Sequence, residues 1–167
     1  MSIVEQEARS DRYQVIPRVL IFPFNESGEV LLLHGAPTKN IWRDLWNGIG
    51  GHIEAGETIL NATKRELFEE TGLKAKNLIL CGQVMVDVGS APGIAIFIFK
   101  AEGMVGKMHL SDEGELAWIK IKDLSDLSLV EDLHTILPKV IKFNKGDVIF
   151  YGVYTYNASD QLVMSFE

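Results

Sequence analysis

The sequence predicts an α+β domain built on a mixed β-sheet with two main helices. Two observations point to it. Runs rich in β-branched and aromatic residues recur along the chain, separated by turns containing Gly, Asn or Pro. Two stretches of different character, residues 58–71 and 130–143, carry helix caps or helical periodicity. A length of 167 residues suits one domain spanning 1–167, and 47% hydrophobic residues supply a sizeable core.

Residues 1–11 read as a loose polar leader. Residues 13–24 (YQVIPRVLIFPF) read as a strand, with Pro17 and Pro23 favouring an edge or a bulge. A turn at Asn25, Glu26, Ser27 and Gly28 leads into a buried strand at 29–34, so the two strands are expected to form a hairpin. Residues 35–45 form a loop carrying Lys39, Ile41, Trp42 and Arg43. Three glycines follow within four residues (Gly48, Gly50, Gly51), where backbone can bend tightly or approach a ligand. After the first helix, strands are expected at 77–88 and 94–101, joined by a turn at 89–93. The near-continuous apolar run of 94–101 suits a central strand. A loop over 102–112 precedes a short strand at 116–121. In 130–143, Leu133, Ile136, Leu137, Val140 and Ile141 share one side, and Pro138 is expected to kink or divide the helix. A second hairpin, 147–156 with 162–166, closes the chain.

Composition narrows the function. A net charge of −7 argues against a broad nucleic-acid surface. No apolar run reaches the roughly 20 residues of a membrane span, and the polar N-terminus lacks the apolar core of a signal peptide. A cytoplasmic protein, monomer or homodimer, with neither nucleic acid nor membrane as partner, is expected. The single cysteine, Cys81, lies in a strand-like run and reads as a buried, inert thiol. His34, His52, His109 and His134 show no mutual zinc-ligand spacing.

The most informative stretch is 51–73, GHIEAGETILNATKRELFEETGL. Thr58 is placed to cap a helix and Gly72 to end it in the left-handed region. At roughly 100° per residue, Glu66, Glu69 and Glu70 share one arc of that helix, while Leu60, Leu67 and Phe68 are free to anchor it. Like charges so placed repel, and Arg65 contributes one positive charge at the edge of the group. A divalent cation resolves the repulsion, and oxygen ligands suit Mg²⁺, with Mn²⁺ the alternative. The competing reading is a solvated acidic face.

The glycines and Glu57 add specificity. The stretch resembles the Nudix box, Gly-x5-Glu-x7-Arg-Glu-hydrophobic-x-Glu-Glu-x-Gly-hydrophobic, at Gly51, Glu57, Arg65, Glu66, Leu67, Glu69, Glu70, Gly72 and Leu73. The flanking segments WNGIGGHIEAGE, SDEGELAWIKIKDL and SLVEDLHTILP resemble MutT-type 8-oxo-purine nucleoside triphosphate diphosphatases within that superfamily. The resemblance implies an α/β/α sandwich and a Mg²⁺-dependent pyrophosphohydrolase acting on a small nucleotide. It implies that Glu66, Glu69, Glu70 and the Gly50 carbonyl hold the metal. Gly51 and Glu57 would support the cluster, and Arg65 would orient a carboxylate. Glu113 would be a further metal or proton-handling group, preferred over its neighbours Asp112 and Glu115. Asn47 would contact base or sugar, or else only shape its turn. Glu131 and Asp132 would read the base edge, or else only form an acidic first turn. Trp42 and Trp46 read as core or loop anchors.

The chain departs from that group at several positions. His52 stands where the group often has a lysine on phosphate, Val86 and Val88 stand where larger aromatics are expected, and Leu129 replaces a tryptophan. A base pocket of different shape follows. ADP-ribose hydrolases fit less well, since Pro92 lies too far downstream for their proline, and the tyrosine of dinucleoside polyphosphate hydrolases is absent. A nucleotide-sugar substrate and a non-catalytic nucleotide sensor on the same fold are the alternatives; retention of all box carboxylates disfavours the sensor.

Overall fold

A computed structural model describes residues 11–38, 41–90, 92–109, 111 and 113–167. The leader up to residue 10, Lys39 in the first loop, Ala91 in the turn and Asp112 beside Glu113 lie outside the described residues. Among the described residues nine strands form, in chain order: β1 (Val15–Pro23), β2 (Val30–Gly35), β3 (Trp46–Asn47), β4 (Ile49–His52), β5 (Leu73–Val86), β6 (Gly93–Gly106), β7 (Gly114–Ile119), β8 (Phe150–Tyr156) and β9 (Leu162–Phe166). Helix α1 spans Ile59–Thr71 and α2 spans Leu133–Lys142.

The larger sheet has the order β4-β1-β6-β5-β8-β9, and the smaller has β3-β2-β7. The apolar run of β6 is internal, as expected, with β1 parallel on one side and β5 antiparallel on the other. Helix α1 packs on one face of the large sheet against Val19, Ile21, Phe99 and Ala101. Helix α2 packs through Leu133, Ile136, Leu137 and Val140 with Phe22, Val84, Val86 and Ile98 on the other. This is the α/β/α sandwich. Strand alternation sorts β1 between the two layers: Val19 and Ile21 look toward α1, Leu20 and Phe22 toward α2.

Four expectations are corrected. Strands β1 and β2 do not form a hairpin: both edges of β1 are taken, by β4 and β6, and β2 leaves to pair with β3 and β7. Only one bridge, Phe24 to Val30, marks the turn. Strand β6 runs on to Gly106, because β5 begins directly after the helix and pairs Leu73 with Gly106 and Asn77 with Glu102. Helix α2 continues through Pro138 undivided. In α1, Leu67 is buried, but Leu60 and Phe68 are exposed; Ala62, Thr63 and Thr71 make the packed face instead. Phe68 lies beneath the Lys74 ammonium, 5.1 Å from its ring centre.

Cys81 sits at a bulge in β5, fully buried, and burial pushes its thiol up to about 11. Trp46 packs on the α2-side core and against the His34 ring at 4.8 Å, an anchor as expected. Among the described residues no helix is long and apolar enough to cross a membrane.

Candidate active site

Helix α1 starts and stops where its chemistry requires. Thr58 is extended and accepts a hydrogen bond from Asn61 N–H at 3.1 Å. Gly72 has φ 75°, and its N–H caps the Phe68 carbonyl. These ends set the phase of the helix and hence the direction of its carboxylates.

Arg65 is the centre of the acidic group. Its Nε and Nη2 bind Glu57 at 2.8 and 2.9 Å, and its Nη1 binds Glu66 at 2.8 Å and Glu69 at 3.0 Å. Nη2 also donates to the His52 carbonyl at 2.9 Å, tying the helix to β4. Arg65 was expected at the edge of the cluster; its length and five-donor fork let it bridge three carboxylates instead. The Arg65 bonds hold Glu57 down at about 2, aided by the Glu54 N–H, and the same carboxylates push Arg65 further above its ordinary range, Glu57 most.

The charge is only partly offset, since one guanidinium serves three carboxylates and Glu70 adds another. Among the described residues no three carboxylate, imidazole or thiol side chains stand close enough together to hold an ion as they are. Arg65 takes one oxygen each from Glu66 and Glu69 and leaves the other. The donor set suits a hard divalent cation, being carboxylate throughout. Gly51 leaves room for the Glu66 side chain: a Cβ there would lie 2.5 Å from its carboxylate. Gly50 faces the other way, where a Cβ would strike the Val19 carbonyl.

Beside this cluster opens a cavity of about 770 Å³. Glu66, Glu70, Glu113, Gly50, Gly51 and His52 line its acidic end. Asn47, Glu131, Asp132 and Tyr154 line it together with an aliphatic wall of Val86, Ile94, Ile96 and Leu162. Glu57, Arg65 and Glu69 are not part of the lining, and 58% of the Glu69 side chain is exposed. Of the three loop acids, Glu113 lines the cavity, and Glu115 points elsewhere on β7. Asn47 shapes its turn, its Oδ1 accepting the Gly48 N–H at 2.8 Å, and the residue also lines the cavity.

Glu131 and Asp132 lie just before α2, and Asp132 makes no side-chain cap. Asp132 is the residue at which the helix begins, its carbonyl accepting the N–H groups of Thr135 and Ile136. Burial raises the Asp132 carboxyl above its ordinary value, with Glu131 adding to the effect and Tyr154 opposing it. Burial and the Asp132 charge raise the Tyr154 phenol in turn, and its hydroxyl has no hydrogen-bond partner of good geometry among the described residues. Val86 lines the cavity; Val88 lies beyond the end of β5, and Leu129 is in the core. Arg18, Ile94, Ile96 and Tyr154 were missed. Their signal is the parallel pairing of β1 with β6 and of β5 with β8, which local sequence does not carry.

A family model of the NUDIX domain matches residues 15–142. The chain belongs to this family. This Nudix protein is 29% identical over 139 residues to the oxidized purine nucleoside triphosphate hydrolase of Danio rerio, covering 83% of this chain and 85% of the relative. It is 29% identical over 133 residues to the enzyme of the same name from Mus musculus, covering 79% and 83%. Among solved structures it resembles the MutT protein of Bacillus halodurans, with a TM-score of 0.78 and 28% identity over 92% of this chain and 98% of that one. With its hydrolase relatives, the domain makes the chain a Nudix pyrophosphohydrolase of MutT-like type.

Proposed function

We propose that this Nudix hydrolase cleaves a nucleoside triphosphate to its monophosphate and pyrophosphate with Mg²⁺, oxidised purine nucleotides being the first substrates to test. One observation carries the reading: a single cavity joins the α1 carboxylates and Glu113 to Asn47, Asp132 and an aliphatic wall. Phosphates and base would then take separate, chemically suitable parts of it. The relatives named for oxidised purine triphosphates support the substrate class.

Glu66, Glu69 and Glu70, with the Gly50 carbonyl, would hold the metal, and Mn²⁺ would fit the same ligands. When bound, such an ion offsets phosphate charge and lowers the pKa of a coordinated water. Water adds to one phosphorus of the α–β anhydride, and the bond from that phosphorus to the bridging oxygen breaks, the oxygen leaving with the other phosphoryl group, to give monophosphate and pyrophosphate. A carboxylate takes the proton: Glu69, Glu70 or Glu113. Arg65 fixes the orientation of Glu66 and Glu69 through its fork, and Glu57 fixes Arg65. His52 would meet the phosphates, and Asn47, Glu131 and Asp132 would read base or sugar; all four line the cavity.

The test is a screen of Mg²⁺-dependent phosphate release, with pyrophosphatase and phosphatase added, over ordinary and oxidised nucleoside triphosphates, nucleotide sugars and dinucleotides. Release from triphosphates is expected, with Glu69→Gln lower by about 100-fold or more at unchanged thermal stability. A flat screen with clear ligand-induced stabilisation would mean a sensor rather than an enzyme.

A further inference from the structure

The cavity is strongly acidic for a protein that handles polyphosphates. Seven carboxylates line it, and among the described lining residues Arg18 is the sole lysine or arginine. Arg65 is committed to Glu57, Glu66, Glu69 and the His52 carbonyl, so its donors are turned to the protein. Arg18 is different. It lies on β1 directly across from His52 on β4 and beside Ile96 on β6. Its Nε is buried and has no hydrogen-bond partner among the described residues. A buried guanidinium donor left unmade is costly, and such groups call for an acceptor.

We propose that Arg18 binds the α-phosphate of the nucleotide, supplying a permanent positive charge from β1. The placement separates phosphate from base. Neighbouring strands lie about 4.8 Å apart, so Arg18 is one strand from His52, whose carbonyl is tied to the carboxylate group through Arg65. On its other side begins the aliphatic wall at Ile96 and Ile94. The phosphate that joins the sugar is the one that crosses this boundary. A guanidinium fork matches two phosphate oxygens and needs no change of protonation state to do so.

This inference rests on the nucleotide-hydrolase reading, and its test keeps the two apart. Binding of 2′-deoxynucleoside 5′-monophosphates (the four common bases and 8-oxoguanine) and of the matching nucleosides is measured by calorimetry in EDTA. The wild type is expected to bind its best monophosphate at least about 10-fold tighter than the nucleoside, as a charge-assisted hydrogen bond allows. Arg18→Gln should bring that ratio to within about twofold while nucleoside affinity stays unchanged. Arg18→Met, apolar and tolerant of burial, serves by the same criteria if Arg18→Gln does not fold. A wild type with no monophosphate preference overturns the assignment. So does a variant that keeps the preference, or one that loses nucleoside and monophosphate equally, which would make Arg18 a base reader. Hydrolysis of no nucleotide by the wild type sinks the functional reading itself; intact hydrolysis with an undiminished preference in Arg18→Gln sinks only Arg18.

Discussion

Adjacent glycines in β4 do opposite jobs. A methyl at Gly51 would press on the far end of the Glu66 side chain, which can swing away. A methyl at Gly50 would press on the Val19 carbonyl, which is backbone within a sheet. Gly51→Ala is therefore expected to keep its fold, losing less than about 1 kcal/mol, while activity drops by about 10-fold or more as Glu66 is displaced. Gly50→Ala should lose about 3 kcal/mol, a fall of roughly 10 °C in Tm for a chain of this size. Thermal melts beside a phosphate-release assay separate the two. Asp132 gives a pH signature. Its folded-state pKa is raised, chiefly by burial, so the folded protein holds that proton more tightly than the unfolded chain does. Stability from this group is full below the ordinary aspartate value of 3.8 and declines as pH rises toward the raised folded value. Asp132→Asn should thus be more stable than wild type at pH 7, and the difference should close as pH falls to 3.8. Melts of both proteins across pH check this; a difference constant with pH would show that Asp132 is not held above its normal range.

Helix α1 was legible in the sequence because its determinants are local. Thr58, Gly72 and the 66/69/70 spacing all act within a few turns, and each is found in place. Thr58→Ala should remove about 1 kcal/mol, or about 2–4 °C of Tm, through the lost bond to Asn61; an unchanged melting temperature would show that packing alone holds the helix end. The β1–β2 hairpin was misread for the complementary reason. A turn at Asn25–Gly28 signals that the chain reverses, yet nothing in those residues says which strands already occupy the edges of β1. Likewise Arg65 was placed on the helix correctly but its partners were not, since Glu57 and the His52 carbonyl reach it from the loop and from β4. Leu60 and Phe68 have the chemistry of anchors, but the buried face of the helix is made by Leu67 with the smaller Ala62, Thr63 and Thr71.

At the scale of the molecule, net charge and cavity charge tell one story. The chain carries −7 overall, and the described cavity lining holds seven carboxylates. A polyphosphate enters such a site against its field unless cations accompany it. The cavity's carboxylates at Glu66 and Glu70 were readable from the 51–73 motif, whereas its aliphatic wall depends on strand pairings far apart in sequence and appeared only with the fold. The α1 carboxylates are expected to hold a divalent ion despite the grip of Arg65 on Glu66 and Glu69. Titration of Mn²⁺ into the protein, followed by electron paramagnetic resonance, tests it most directly. Saturable binding in the wild type, weakened by about 10-fold or more in Glu66→Gln and in Glu70→Gln, is the expected result. Equal Mn²⁺ binding by the wild type and both variants would contradict it.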